Sequence, residues 1–139
     1  TKVGALCGEA VVFTHANEPA HFFTTVKLHG ALLAKGRLVG VQFDALFTDN
    51  LYFRIAQHAI DKAVRLKRIL SAHGFRPYVD SPSNQQFVVM PTILARQLLR
   101  RVEFSIWQPL NDSESVCRFV TSWATTDEEL DRLDALLGE

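Results

Sequence analysis

The feature that most constrains the fold is a long amphipathic pattern between Asn50 and Gly74. Apolar residues recur along one side at helical spacing, namely Tyr52, Ile55, Ala56, Ala59, Ile60, Ala63 and Leu66. Asn50 can cap the start of this helix, and Gly74 followed by Pro77 predicts its end. The basic run RLKRIL at residues 65–70 is interpreted as part of the solvated side of the helix.

Strand and helix patterns alternate after this helix. Residues 77–80 and 85–90 have strand composition on either side of the turn sequence SPSN. Thr92 is predicted to cap a short helix through ILARQLLRR, and residues 103–108 and 116–123 predict two further strands. The order predicts a small α+β layer with helices on one face of a largely antiparallel sheet.

The last helix has the clearest start in the sequence. Thr126 and Glu129 have the spacing of a capping box, and leucines follow at helical intervals. Gly138 is expected to end this helix.

The first fifty residues predict a strand and an interrupted helical region. Residues 9–13 (EAVVF) have the pattern of a short buried strand, followed by the polar stretch THANEP. From Ala20 to Phe47 the pattern is helical, but Gly30, Gly36 and Gly40 interrupt it. A bent or broken pair of helices is therefore predicted rather than one rod.

Composition limits the classes of function. Lys plus Arg and Asp plus Glu are equal at 15 each in 139 residues, so net charge gives no reason to propose nucleic acid or an anionic membrane as partner. No apolar run approaches the length of a membrane span. The five histidines show no ligand spacing, and no metal site is predicted. Cys7 and Cys117 are expected to be buried free thiols in a reducing compartment, which favours the cytoplasm.

Two cations could carry chemistry. Lys2 precedes the predicted strand and is either a solvated residue or a Schiff-base lysine whose pKa is lowered by burial at a strand edge. Arg118 lies between Val116 and Val120 on one face of a predicted strand, where a guanidinium needs an anionic partner. A protein carboxylate would make Arg118 structural, whereas a substrate carboxylate bound by two hydrogen bonds would make it functional. The pattern leaves both possibilities open.

The stretch TKVGALCGEAVVF resembles the lysine segment of the threonine aldolase family, in the β-eliminating lyase branch of fold type I pyridoxal-phosphate enzymes. Thr1 and Lys2 match a Gly-Gly-Thr-Lys context, and GALCGEAVVF matches the Gly-rich turn and strand that follow it. Further similar segments follow in order: LLAKGRLVGVQFDALFTDNLY, SPSNQQFVV and VCRFVTSWATTDEEL. The resemblance therefore spans nearly the whole chain.

The resemblance implies an α/β fold of the type I pyridoxal-phosphate transferase class and three site residues. Residues 1–50 would form the end of the large cofactor-binding domain, and residues 51–139 a linking helix and a small C-terminal α+β domain. Lys2 would hold pyridoxal phosphate and act in catalysis, and Arg118 would bind the substrate α-carboxylate. Arg37 resembles an arginine that contacts the cofactor phosphate across a dimer interface.

The resemblance also implies a reaction and partners. The expected reaction is retro-aldol cleavage of L-threonine, or a related β-hydroxy-α-amino acid, to glycine and an aldehyde. The alternatives are β-elimination, transamination, or a non-catalytic α+β dimerisation domain. The groups that stack on the cofactor ring, pair with its nitrogen and bind most of its phosphate would precede Lys2. We therefore expect the chain to be the C-terminal part of a longer polypeptide that forms a homodimer or homotetramer.

Overall fold

A computed structural model describes residues 2–139, which divide into two units, the first ending at Tyr52 and the second spanning Phe53–Glu139. Thr1, which belongs to the matched lysine motif, lies outside the described residues. The assignment of residues 1–50 and 51–139 to the large and small domains of a pyridoxal-phosphate enzyme stays a prediction.

The first unit contains two short helices, α1 (Phe22–Leu28) and α2 (Arg37–Phe47), and a 3₁₀ turn (Thr48–Asn50). The predicted broken helix pair is thereby confirmed. Gly30 follows α1 with a φ of 68°, a left-handed conformation that glycine adopts at little cost. Gly40 lies inside α2 and does not interrupt it.

The predicted strand at residues 9–13 is wrong. These residues adopt no regular structure, and Val11 and Val12 are 70% and 76% exposed. A strand needs a neighbour to pair its backbone N–H and C=O groups, and no segment within residues 2–139 pairs with this one. Cys7 is exposed as well, contrary to prediction.

The long amphipathic pattern forms α3 (Leu51–Ala72), as predicted. Its end has the hydrogen bonds of a Schellman motif. The Phe75 N–H donates to the Leu70 carbonyl at 3.0 Å, and the Gly74 N–H donates to the Ser71 carbonyl at 3.0 Å. Gly74 supplies the left-handed residue with a φ of 81°, so its predicted role is confirmed.

The remaining elements are β1 (Gln85–Pro91), α4 (Thr92–Leu98), β2 (Ser105–Pro109), β3 (Glu114–Val120) and α5 (Asp127–Leu137). The sheet has the order β1-β3-β2, and both strand pairs are antiparallel. Residues 77–80 form only an isolated bridge between Pro77 and Val88, not the predicted strand, and its hydrogen bonds come from the N–H groups of Tyr78 and Val89. The predicted strand at residues 116–123 ends at Val120. The next side chain faces α3, where the Thr121 hydroxyl donates to the Ala59 carbonyl at 2.7 Å.

The helices of the second unit pack on one face of the sheet, as predicted. The strands contribute Val88, Met90, Cys117 and Phe119 to the core, and α3, α4 and α5 contribute Leu66, Ile69, Leu70, Ala95, Leu98, Leu130 and Leu133. Cys117 is fully buried, which confirms its prediction, and burial raises the pKa of its thiol to about 11.

The start of α5 confirms the predicted capping box. The Thr126 hydroxyl accepts from the Glu129 N–H at 3.2 Å, and the Glu129 carboxylate accepts from the Thr126 N–H at 2.9 Å. The basic side of α3 then pairs with the first turns of α5. Asp127 accepts from Lys62 at 2.7 Å and from Arg65 at 2.6 Å, and Arg65 also pairs with Asp131.

These ion pairs predict acid sensitivity of the second unit. Hydrogen bonds from Lys62 and Arg65 lower the pKa of Asp127, and a hydrogen bond from Lys67 lowers that of Asp80. A depressed carboxyl pKa stabilises the fold above the unfolded value of about 3.9, and this contribution is lost as pH falls through the folded pKa. We expect the urea concentration at the unfolding midpoint to decrease as the pH is lowered below about 4. Asp127→Asn should make this midpoint less dependent on pH. If the midpoint depended on pH in the same way in the unsubstituted chain and in Asp127→Asn, the role given to the Asp127 ion pairs would be contradicted.

Candidate functional site

Arg118 lies in the middle of β3, the central strand of the sheet. Its neighbours Cys117 and Phe119 face the helices, so by strand alternation Arg118 projects from the opposite face. Its cross-strand partners are Phe87 of β1 and Ser105 of β2. The guanidinium is therefore carried by the central strand of the sheet, on the face opposite the core that the helices form.

The guanidinium of Arg118 contacts three uncharged side chains. Its Nη1 donates to Oε1 of Gln85 at 3.4 Å, and its Nη2 donates to Oγ of Ser105 at 3.3 Å. The central carbon lies 4.8 Å from the centre of the Trp107 ring. Both hydrogen bonds are longer than the usual 2.7 to 3.2 Å, so each is weak alone and the guanidinium is held by the three contacts together.

No carboxylate within residues 2–139 forms an ion pair with Arg118. Its Nε is buried and has no hydrogen-bond partner in this part of the chain. Of the two possibilities left open by the sequence, the described chain does not supply the protein carboxylate. A half-buried guanidinium with only uncharged partners is expected to attract an anion.

Lys2 is exposed, and the strand edge predicted to bury it does not form. The segment after it is attached to α2 through the side chain of Gln42. Oε1 of Gln42 accepts from the Leu6 N–H at 2.8 Å and from the Cys7 N–H at 3.3 Å. Gly8 also lies close to Phe43, since a Cβ at Gly8 would come 3.3 Å from that ring. The segment that carries Lys2 is thus held by α2 without being a strand.

Arg37 is the first residue of α2 and is exposed. It forms no ion pair with any residue from 2 to 139. A helix N-terminus carries partial positive charge, so a cation there is favourable only with an anion nearby. Lys2 and Arg37 belong to the first unit, whereas Arg118 belongs to the second.

Sequence reasoning identified Arg118 but missed Gln85, Ser105 and Trp107 around it. Each of these residues is on a strand that was predicted at least in part. What the sequence did not indicate is that the strand of Arg118 lies between the other two. Once that strand order is known, cross-strand register places Ser105 beside Arg118.

No protein-family model matches the chain, and no curated protein matches it. Among solved structures, the chain is similar to the threonine aldolase of Leishmania major, with 35% sequence identity and a TM-score of 0.81. This confirms the resemblance to the threonine aldolase family. The alignment covers 86% of this chain but only 35% of the Leishmania major threonine aldolase. The predicted fold class is confirmed as well, since the helical segment and small α+β layer match a fragment of the threonine aldolase fold.

No helix within residues 2–139 is both long and apolar enough to cross a membrane. The same residues contain no group of three His, Cys, Asp or Glu side chains that could hold a metal ion.

Proposed function

We propose that this chain is part of a pyridoxal-phosphate-dependent lyase that cleaves L-threonine, or a related β-hydroxy-α-amino acid, to glycine and an aldehyde. The similarity to a threonine aldolase supports the lyase class. The single observation that carries the proposal is the environment of Arg118, a half-buried guanidinium with no carboxylate partner within residues 2–139.

The cationic side chains fit the cofactor and its substrate chemically. Lys2 offers an exposed primary amine, the group that combines with an aldehyde. Arg37 offers an exposed guanidinium, which suits a phosphate, and Arg118 offers one that suits an α-carboxylate. In this proposal Lys2 would hold pyridoxal phosphate, Arg37 would contact its phosphate and Arg118 would bind the substrate.

The proposed role of Arg118 follows from the shape of its guanidinium. A planar fork can donate two parallel hydrogen bonds to a carboxylate, which fixes both the position and the plane of that group. An α-amino acid held in this way has little freedom to rotate about the bond to its carboxyl carbon. Arg118 would thereby select the Cα–Cβ bond for cleavage by holding it in one orientation.

The proposed role of Lys2 is nucleophilic and acid–base. Lys2 would hold the cofactor through its Nζ, which is nucleophilic in the unprotonated form, and once the substrate amine has displaced it the free amine could accept and return a proton at that atom. Pyridoxal phosphate, when bound, supplies the electron sink for the charge left on Cα. The remaining groups of such a site, a cytoplasmic location, and assembly as a homodimer or homotetramer are further parts of the proposal.

Product analysis tests the reaction. We expect the full-length protein, supplied with pyridoxal phosphate, to convert L-threonine to glycine and acetaldehyde in equal amounts. L-2-Aminobutyrate, which has the same carbon skeleton without the hydroxyl group, should give no aldehyde. Ammonia with a keto acid would instead indicate β-elimination, and a keto acid with amino-group transfer would indicate transamination. Either result would overturn the aldolase assignment.

A further inference from the structure

We infer that Trp107, together with Gln85 and Ser105, positions the guanidinium of Arg118 to receive a carboxylate before any cofactor is bound. This inference rests on the proposed function, since it takes Arg118 as the carboxylate-binding residue. The three residues contact the guanidinium through one ring face and two hydrogen bonds. Three features of the second unit support it.

The first feature is an irregularity in β2 at Trp107. Ile106 pairs with Cys117, but Gln108 pairs with Val116, so Trp107 is an extra residue between two consecutive partners on β3. An inserted residue of this kind bends a strand and redirects its side chain, and such bulges are frequent beside active sites. Here the indole of the inserted residue lies against the guanidinium of Arg118, 4.8 Å from ring centre to central carbon.

The second feature is that the indole is itself held in place. Phe87 of β1 contacts Trp107 edge to face, with ring centres 5.6 Å apart and planes at 82°. Phe87 is also the direct cross-strand partner of Arg118. Because both side strands contribute a ring, the aromatic support of the guanidinium spans the width of the sheet.

The third feature is that none of the contacts neutralises Arg118. Gln85 and Ser105 accept hydrogen bonds through uncharged oxygens, one on each terminal nitrogen. The indole attracts the cation through its π face and takes none of its N–H donors. The guanidinium is therefore restrained while its charge stays available, which is what binding of an external carboxylate requires.

Trp123 provides a matched control for Trp107. The two tryptophans have nearly equal exposure, 52% and 53%, but only Trp107 contacts Arg118 within residues 2–139. Removing either indole therefore takes away a ring of the same size and similar solvent exposure. A difference between Trp107→Leu and Trp123→Leu in carboxylate binding is therefore attributable to the contact with Arg118.

The test is a titration of the cofactor-free, 139-residue chain with acetate and with glycine, followed by NMR through the Arg118 Nε–H signal. We expect millimolar carboxylate to shift this signal in the unsubstituted chain and in Trp123→Leu. Trp107→Leu should weaken binding about 3- to 10-fold, and Trp107→Phe, which keeps an aromatic ring, should weaken it less. Backbone amide spectra of each variant establish that it is folded.

A second variant tests the charge argument with Trp107 in place. Gln85→Glu puts a carboxylate at the acceptor of Nη1, so it should pair with Arg118 and abolish binding of added carboxylate, whereas Gln85→Met should retain it. Equal binding by Trp107→Leu and Trp123→Leu would overturn the positioning inference alone. Full carboxylate binding by Arg118→Ala, followed through the backbone amide signals of β3 because this variant has no Nε–H, would instead overturn the role of Arg118 in the proposed function. Absence of binding by the unsubstituted chain would overturn preorganisation while leaving the product analysis unaffected.

Discussion

Replacing Arg118 with alanine should raise the KM for L-threonine about 100-fold and leave the stability of the fold nearly unchanged. The rise follows from the loss of two charge-assisted hydrogen bonds to the substrate carboxylate. Stability should hold because the native guanidinium has no carboxylate partner within residues 2–139, and its Nε is buried without a partner there. Kinetics and urea unfolding of the same variant measure both quantities.

The two measurements separate a binding residue from a structural one. Breaking a buried ion pair by removing one partner usually costs about 3 to 5 kcal/mol of stability. An Arg118→Ala protein that loses stability on that scale while its KM is unchanged would make Arg118 structural. Arg118→Lys should give an intermediate KM, because an ammonium group keeps the charge but not the planar fork.

Replacing Lys2 with alanine should reduce turnover by about 100- to 10,000-fold from the loss of proton transfer alone, and further through the loss of its nucleophilic amine. Lys35→Ala is a suitable control, since Lys35 is another exposed lysine of the first unit. Its turnover should match that of the unsubstituted protein. Equal turnover of Lys2→Ala and Lys35→Ala would show that the Lys2 amine has no part in the reaction.

Local features were the most predictable from the sequence. The capping box of Thr126 and Glu129 and the left-handed Gly74 after α3 depend only on residues a few positions away. The apolar side of α3 was likewise predictable from the helical spacing of its apolar residues. In each case the chemistry that makes the structure is contained within one short stretch of chain.

Features that depend on distant neighbours were not predictable. Residues 9–13 have the composition of a strand, but no described segment pairs with them, so their apolar residues do not form one. Arg118 was recognised as unusual, yet its support by Trp107 depends on strand order and on a bulge in β2. Neither can be read from one strand alone, because both are relations between strands that are far apart in sequence.

The central claim is that Lys2 is the cofactor lysine, and chemical trapping tests it most directly. The protein is incubated with pyridoxal phosphate, reduced with borohydride and digested, and the modified lysines are mapped by mass spectrometry. We expect the pyridoxyl group on Lys2, and not on the other four lysines, Lys27, Lys35, Lys62 and Lys67. Preferential modification of any of those four, or equal modification of all five, would contradict the claim.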